Sequence, residues 1–403
     1  MWFQISVNRI LSVAWGHQFA YLAIAVSLFG VGLGGAAAVI LLRTGTATAG
    51  GRWLPFLAGM TAASIPVCLW MILQTTPDPV ILIGTRRGSL RMVLAYVPLL
   101  LPFFFGSAAT GVIFRVLKHR TALVYAASML GGAAALGVAL ALMYCQSPVI
   151  VAWEAFVPAL LGVMAVRRRR AVVLVGIIAL GWACLPHLEL PLSQFKHLSV
   201  LLASGDCRVL HEAYFPDGWI MVLDSDRIRE TPGQPGTGAA ALPVAPQIGI
   251  FRDGDLAAVI NRRRPAAGAG AESSLEWADH LTGALPYALR RTENVLLLGA
   301  DGGTELLRAL RHARGRIEAV EQNVPVARTV QLLDNLAGGI FSAPGVAFIV
   351  SDLRAYVERC TGTYDLVEVT LHGMGHTGLA GLEAVDCDYL VTVDGLRALL
   401  RRL

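Results

Sequence analysis

Six long apolar segments occupy the first 187 residues and constrain the fold more than any other feature. They cover about residues 18–42, 53–74, 92–117, 121–145, 148–166 and 171–187. Most of them reach the roughly 20 residues that an α-helix needs to cross the hydrocarbon core of a bilayer. The chain is also 55% hydrophobic and only 15% charged, which is typical of integral membrane proteins. We therefore predict a multi-pass α-helical membrane domain over residues 1–187, with about six transmembrane helices in a lipid bilayer.

Small residues are concentrated in two of these segments. The first contains GVGLGGAAA at residues 30–38, and the fourth contains GGAAALG at residues 131–137. Small side chains let the backbones of neighbouring helices approach closely, so both stretches predict helix–helix packing. A transport path through the bilayer is the alternative interpretation.

Charge divides the chain at the same place. Residues 1–187 carry 13 Arg and Lys against two acids, whereas residues 188–403 carry 20 against 26. The acidic second part argues against nucleic-acid binding, which needs a basic face. Basic residues in the predicted loops mildly favour an extracytoplasmic second part, whereas the ligand predicted below is cytosolic. The side of the membrane on which this part lies is left open.

Residues 188–264 predict a linker followed by a small antiparallel β subdomain. The strand-like runs are CRVLHEAYF, WIMVLDS and QIGIFRDGDLAAVIN, and Asp217–Gly218 and Asp253–Gly254 are typical hairpin turns. The Pro- and Gly-rich stretch TPGQPGTGAAALPVAP predicts a loop within this region. A second flexible stretch, RRRPAAGAGAESS, precedes a helix expected at 275–290.

Residues 275–403 predict an α/β domain of the Rossmann-like type. The runs NVLLLG, RIEAVE, VAFIVSD and YDLVEVT alternate with helical patterns, and this order is typical of a parallel sheet with crossover helices. The chain stops after a helix expected at 388–402, so we expect the sheet to be incomplete at the C-terminus. The fourth strand would then be an exposed apolar edge, which indicates either a fragment of a longer protein or a sheet completed by a second copy, in a homo-oligomer, or by another chain.

The sequence GADGG at residues 299–303 follows the first strand of this domain. Ligands of such sheets bind beyond the carboxyl ends of the strands. Gly299, Gly302 and Gly303 permit a sharp turn and close approach of the backbone to a ligand. A carboxylate repels phosphate, so Asp301 within the turn indicates a cationic ligand that carries an amine or a sulfonium.

Two further acids end the next two strands. Glu321 lies 22 residues after Gly299, where an acid can accept hydrogen bonds from both hydroxyls of a ribose. Asp352 ends the third strand, where it can accept from an adenine amino group. Together with Asp301, these acids predict a nucleoside site. The alternative is an ordinary α/β sheet whose acids cap helices.

These segments resemble the spermidine synthase (polyamine aminopropyltransferase) family, a branch of the class I methyltransferase fold. The stretches that carry the resemblance are VLLLGADGGTELL, VEQN, SDLRAYV and YDLVEV. Several further stretches resemble a bacterial group in which membrane helices precede such a domain. They are LSQFKHLS, PQIGIFRDGD, TGALPYAL, GGIFSAPGV and DYLVTVDGLRALL, and this resemblance covers most of residues 192–403.

The resemblance implies a plasma (inner) membrane protein whose ligand is S-adenosylmethionine or decarboxylated S-adenosylmethionine. It implies that Asp301 faces the amino-acid or aminopropyl part of this ligand, Glu321 the ribose and Asp352 the adenine.

The polyamine half of the family's site is missing. The family supplies acids from an Asp-rich segment after the fourth strand and from a Tyr-His-Glu segment before the glycine turn. Here Thr370 and Gly373 occupy the first, and Ala278, Asp279 and His280 occupy the second. A threonine hydroxyl cannot act as a base near neutral pH. No catalytic residue is therefore assigned, and the candidates are Asp301, Asp279, His280, Glu368 and His372.

No metal is predicted. His372 and His376 have the i, i+4 spacing of a helical metal site, but the two glycines of HGMGH indicate a loop. The six cysteines are scattered without a CxxC pair.

The sequence therefore predicts a membrane-anchored, spermidine synthase-like protein that acts as an aminopropyltransferase, a methyltransferase or a sulfonium-cleaving enzyme. The alternative is a non-catalytic nucleoside-binding module that regulates or stabilises a membrane assembly. A transporter with a sensor domain is the third and weakest hypothesis.

Overall fold

The computed structural model describes residues 1–15, 17–43, 47–74, 86–166, 189–194, 196–230, 246–262, 276–370 and 389–403. The chain divides into two compact units. The first unit contains Met1–Phe195 and Tyr214–Asp217, and the second contains Lys196–Ala213 and Gly218–Leu403. The domain bounds predicted at residues 187 and 264 remain predictions.

The first unit is helical. Its helices are α1 (Trp2–Ala14), α2 (His17–Arg43), α3 (Ala47–Gln74), α4 (Arg86–Val116), α5 (Thr121–Leu142), α6 (Pro148–Glu154) and α7 (Phe156–Val166). Four stretches are long and apolar enough to cross a bilayer, with mean hydropathies from 1.8 to 2.3: Ala20–Leu42, Trp53–Gln74, Tyr96–Val116 and Lys118–Leu142. They match the first four predicted spans.

The fifth predicted span is interrupted. Residues 148–166 form α6 and α7, and the apolar stretch Pro148–Val163 is shorter than the four long ones. Pro158 explains the interruption, because its ring clashes with the carbonyl of Glu154, four residues earlier, where α6 ends. The sixth predicted span, 171–187, lies outside the described residues, so the total of six remains a prediction.

Helix α1, which was not among the predicted spans, lies in the core of the first unit. Phe3, Val7, Ile10 and Leu11 are buried in the main apolar cluster of this unit. The helix packs against α2 and α6, and the indole N–H of Trp2 donates a 2.7 Å hydrogen bond to the carbonyl of Val151.

The two small-residue stretches behave differently. A Cβ added at Gly34 would lie 2.2 Å from the carbonyl oxygen of Phe104, and one at Gly30 would lie 2.8 Å from that of Leu100. The first stretch therefore packs α2 closely against α4, as predicted. A Cβ at Gly131 or Gly137 would meet no atom within 4 Å, and one at Gly132 would lie 3.8 Å from Cγ of Met1. Within the described residues the glycines of the second stretch therefore make no comparably close contact.

The second unit begins with a short helix and an antiparallel sheet. Helix α8 (His197–Ala203) precedes β1 (Arg208–Phe215), β2 (Gly218–Asp224), β3 (Gln247–Arg252) and β4 (Asp255–Asn261), which are neighbours in that order. Strands β2, β3 and β4 pair antiparallel. The predicted β subdomain is thus confirmed as a sheet.

Of the two predicted hairpin turns, one is confirmed and one is shifted. Asp253 and Gly254 have φ of 55° and 87°, the pair of positive values that a type I′ turn requires. Gly218 instead opens β2, so the first turn lies one residue earlier than predicted.

The remaining strands form a parallel sheet. They are β5 (Val295–Leu298), β6 (Ile317–Glu321), β7 (Val346–Val350) and β8 (Leu366–Val369), and their order is β7-β6-β5-β8. The associated helices are α10 (Thr304–His312), α11 (Val324–Leu332), α12 (Asp334–Ala337), α13 (Leu353–Arg359) and α14 (Val393–Leu400). All four predicted strands are confirmed. Strand β8 lies at an edge of the sheet within the described part of the chain.

The prediction of one continuous helix over residues 275–290 is wrong. The chain forms two 3₁₀ turns, Glu276–His280 and Thr282–Ala284, and then the short helix α9 (Leu285–Leu289). Gly283 weakens a helix interior, and Pro286 is tolerated only in a first turn, where it stands at the start of α9.

Alternation along the strands separates the two faces of the parallel sheet. Leu296, Leu298 and Val320 pack in a cluster that includes residues of α13 and α14. The neighbouring positions, among them Glu368 on β8, point to the opposite face, on which α10 lies. The carboxyl ends of β5, β6 and β7 lie side by side, and this edge is where a ligand of such a sheet binds.

Candidate functional site

The turn between β5 and α10 is held in an unusual backbone conformation. Gly299 and Gly303 have φ of 88° and 89°, and Asp301 between them has φ of 43°. A non-glycine residue rarely adopts a positive φ, although aspartate tolerates it better than most. The amide of Gly299 donates a 2.9 Å hydrogen bond to the carbonyl of Val320, which ties the turn to β6.

The glycines of this turn are required by contacts within the protein. A Cβ on Gly302 would lie 1.9 Å from the carbonyl oxygen of Val259, on β4. A Cβ on Gly299 would lie 2.8 Å from the carbonyl oxygen of Thr370, just beyond β8. The turn is therefore enclosed by the antiparallel sheet and by the end of β8. The approach of a ligand to these glycines remains a prediction.

Glu321 supports the glycine turn from the end of β6. Its side chain is buried, and its Oε2 accepts a 2.9 Å hydrogen bond from the amide of Asp301. Its Oε1 accepts a 2.7 Å hydrogen bond from the amide of Asn323. Each carboxylate oxygen accepts up to two hydrogen bonds, so this structural role is compatible with the predicted contact to a ribose.

Asp352 caps a helix. It is exposed, stands at the N-cap of α13, and accepts a 2.7 Å hydrogen bond from the amide of Ala355 through Oδ1. This is the alternative that the sequence left open for the strand-end acids. The cap uses one of the two carboxylate oxygens, so it is compatible with the predicted contact to adenine.

Sheet order brings the three strand ends together. In the order β7-β6-β5, Asp352, Glu321 and Asp301 follow three adjacent strands. Glu321 and Asp301 are in direct hydrogen-bond contact through the Asp301 amide. Three acids at one edge favour a ligand with amino, hydroxyl or cationic groups over a phosphate.

Glu368, a candidate catalytic residue, forms an ion pair with Arg308 of α10. The Arg308 side chain is only 2% exposed. It lies over Gly283, where an added Cβ would come within 2.3 Å of its Nη2. Burial raises the pKa of the Glu368 carboxyl, and the charge and hydrogen bond of Arg308 act in the opposite direction.

Tyr287 lies beside the same pair. Burial, followed by the nearby Glu368 carboxylate, raises the pKa of the Tyr287 hydroxyl. Neither Arg308 nor Tyr287 was predicted from the sequence. A usable signal was present, because an acid within the otherwise apolar strand LVEV requires a buried partner.

Asp279 and His280 lie away from the glycine turn. Asp279 contacts His312 (Oδ1 to Nε2, 2.7 Å) and Arg311 (Oδ2 to Nη1, 3.3 Å) at the C-terminal end of α10. At 1.5 Å per residue, this end is about 12 Å from Thr304 at the start of the helix. His280 is exposed and lines, with His312, an open cavity of about 430 Å³. Neither candidate joins the strand-end acids, and His372 lies outside the described residues.

Thr370 stands directly after β8. Its amide donates a 2.8 Å hydrogen bond to the carbonyl of Leu298, so the residue continues the pairing with β5. Its Oγ1 is buried and has no hydrogen-bond partner within the part of the chain that the structure describes. The position beside Gly299 therefore carries a neutral hydroxyl.

A second buried acid, Glu318, lies on the opposite face of the sheet. It accepts hydrogen bonds from the hydroxyls of Tyr356 and Tyr364, the latter at 2.7 Å, and pairs with Arg316. Burial and the hydrogen bond to Glu318 raise the pKa of Tyr356 to about 12. These contacts satisfy a buried charge and stabilise the packing of α13 on the sheet.

Comparison with known proteins finds similarity to a curated protein and to solved structures. No protein-family model matches the chain. The polyamine aminopropyltransferase of Korarchaeum cryptofilum (strain OPF8) is 35% identical over 85 residues, which are 21% of this chain and 26% of that protein. The matching region thus spans about a quarter of the length of the curated relative.

Two of the similar solved structures are of spermidine synthase, one in complex with the transition state analogue AdoDATO and one from Thermotoga maritima. Each is 15% identical with a TM-score of 0.32. The matches cover 49% of this chain and 53% and 54% of theirs.

Proposed function

We propose, from the homology of part of this chain to the polyamine aminopropyltransferases, that its second unit is a spermidine synthase-like domain anchored to a membrane. That homology was predicted from the motifs and is confirmed over the matching region. In this proposal the domain binds S-adenosylmethionine or decarboxylated S-adenosylmethionine at the edge formed by β5, β6 and β7.

One observation carries the proposal: a buried glutamate holds an aspartate-containing glycine turn in place. The Glu321 carboxylate accepts a hydrogen bond from the amide of Asp301, and Asp301 has a positive φ. A carboxylate in such a turn disfavours phosphate and complements a sulfonium or an amine, since opposite charges attract strongly in a partly buried site. The neighbouring Asp352 is available to accept from the adenine amino group.

Three reactions can follow from this binding mode. In aminopropyl transfer, an acceptor nitrogen forms a bond to the aminopropyl carbon that is attached to the sulfonium sulfur, and the bond between this carbon and sulfur breaks. The electron pair stays on sulfur, which gives methylthioadenosine, and the acceptor nitrogen releases a proton. Methyl transfer and cleavage of the sulfonium by water use the same nucleoside contacts and differ in the group that attacks.

Membrane anchoring is supported by the exposed surface of the first unit. Helix α5 is apolar and almost wholly exposed, with side chains such as Leu123, Met129 and Leu130 between 54% and 71% accessible. A contiguous apolar surface of this kind is unfavourable in water and suits the interior of a bilayer. The plasma (inner) membrane is proposed as the location, and the side of the second unit stays open.

A non-catalytic role is the second candidate function. Among the candidate catalytic residues, Glu368 is paired with Arg308, and Asp279 is paired with Arg311 and His312. These contacts favour a nucleoside-binding module that regulates or stabilises an assembly. A second copy or another chain would be its partner, at the sheet edge that β8 forms within the described residues, and nucleic acid is not expected to bind.

Binding and product analysis on the purified full-length protein test the proposal. Calorimetry with methylthioadenosine, S-adenosylmethionine and decarboxylated S-adenosylmethionine should detect binding of at least one of them. Asp301→Asn should weaken it, whereas Asp394→Asn, at an exposed position on α14, should not. Mass analysis after incubation distinguishes the three reactions from simple binding. Absence of binding to all three compounds by folded protein would refute the proposal.

A further inference from the structure

Two of the candidate carboxylates are neutralised by basic residues of α10. Arg308 pairs with Glu368, while Arg311 and His312 contact Asp279. A carboxylate engaged in this way offers little free negative charge to a bound ligand.

The Arg308–Glu368 pair is the more important of the two because it is buried and adjoins the end of β8. The side chains of Arg308 and Glu368 are 2% and 17% exposed. Removing one partner of a buried ion pair leaves an uncompensated charge, which is strongly unfavourable. A substrate cation would therefore have to displace a guanidinium that is fixed in place over Gly283.

The next position on the same face of β8 adds no charge. Thr370 follows Glu368 by two residues and so points to the same side of the sheet. A Cβ added at Gly299 would lie 3.3 Å from the Cβ of Thr370. A neutral group therefore lies directly beside the glycine turn.

We infer that Arg308 is a specificity-determining residue that excludes diamines and leaves a site for an acceptor without positive charge at its reacting end. This inference rests on the proposed function, since it concerns what binds beside the nucleoside. A diamine carries two positive charges near neutral pH because amine pKa values are about 10. Moving such a cation out of water without an opposite charge to receive it is costly.

The test is the binding of putrescine to the full-length protein, measured with and without saturating methylthioadenosine. The wild-type protein should bind putrescine weakly. Arg308→Met leaves Glu368 without its cation, so putrescine should bind at least about tenfold tighter. In the matched variant Arg308→Met/Glu368→Met, which has neither charge, the gain should be absent.

Thr370→Asp provides an independent variant should Arg308→Met fail to fold. It adds a carboxylate beside Gly299 and leaves the Arg308–Glu368 pair in place, and it too should increase putrescine affinity at least about tenfold. Tight putrescine binding by the wild-type protein would overturn the inference. So would the lack of a gain in folded Thr370→Asp, or an equal gain in Arg308→Met and the double variant. Failure of methylthioadenosine to bind the wild-type protein would count against the proposed function alone, because the putrescine series is also measured without it.

Discussion

The amide of Asp301 donates a 2.9 Å hydrogen bond to Oε2 of Glu321, so the acid that ends β6 holds the turn that follows β5. The same carboxylate accepts from the amide of Asn323 at the start of α11. One buried side chain thus fixes two backbone segments at the edge where the ligand is proposed to bind. Ligand affinity and local stability should respond together when it is changed.

Glu321→Ala should therefore weaken both binding and folding. It leaves two amides without their acceptor, and each buried unsatisfied group costs about 1–3 kcal/mol. We expect methylthioadenosine affinity and the free energy of unfolding to fall, as measured by calorimetry and by denaturant titration. A variant with unchanged affinity and unchanged stability would contradict the role given to Glu321.

Substitutions of Asp352 can separate helix capping from ligand binding. Asp352→Ala removes the N-cap of α13, which should cost about 1 kcal/mol of stability. Asp352→Asn keeps a capping oxygen but places an amide NH₂ where the second carboxylate oxygen was. We expect Asn to restore stability without restoring nucleoside affinity. If Asp352→Asn binds methylthioadenosine as tightly as the wild-type protein, Asp352 serves only as a cap.

Gly302→Ala should be severely destabilising. The added Cβ would lie 1.9 Å from the carbonyl oxygen of Val259, so β4 or the glycine turn must shift. Gly205→Ala is the control, because Gly205 has a φ of 73° but open space around it. Its cost should be limited to the roughly 1–2 kcal/mol of a left-handed alanine. Equal melting temperatures for the two variants would show that the contact with Val259 does not constrain the turn.

Asp365 should contribute to stability against acid. Its Oδ2 accepts 2.9 Å hydrogen bonds from the amides of Glu293 and Asn294, which lower the pKa of its carboxyl. A carboxyl whose pKa is lower in the folded state stabilises the fold above its unfolded pKa of about 4, and this contribution is lost as the pH falls below it. Asp365→Asn should reduce the difference in melting temperature between pH 7 and pH 3. Asp226→Asn, at an exposed turn, is the control, and an identical pH profile for Asp365→Asn would refute this contribution.

Spermidine synthesis from putrescine should be weak or absent even if the nucleoside binds. The attacking amine must lose a proton, and a positioned base typically contributes about 10²–10⁴-fold in rate. Thr370 is neutral, Glu368 is paired with Arg308, and Asp279 lies at the far end of α10. The assay is turnover with decarboxylated S-adenosylmethionine and putrescine. A rate of about 1 s⁻¹ or more, common for enzymes, would show that another base is present. Single alanine substitutions of the four candidates would then locate it: Asp279, His280, Glu368 and His372.

The sequence was sufficient to predict elements whose signal is local. The length of the apolar segments identified the four long spans. The alternation of strand-like and helical patterns identified β5 to β8, and each strand lies within its predicted apolar run. The glycine turn and its aspartate could be recognised because positive φ values restrict residue choice within a few positions. The absence of a continuous helix over 275–290 also has a local cause, because Gly283 and Pro286 interrupt it.

The partners of the charged side chains were decided by tertiary structure alone. The sequence indicates that Glu368 needs a buried partner but does not identify Arg308, 60 residues away, because the pair forms only when α10 packs on the face of β8. Likewise, Asp279 contacts His312 at the C-terminal end of α10, whereas the glycine turn lies at the start of this helix. Residue type and spacing determine which groups can carry charge and where strands end. The charges that remain available to a ligand depend on the contacts that form between elements distant in sequence.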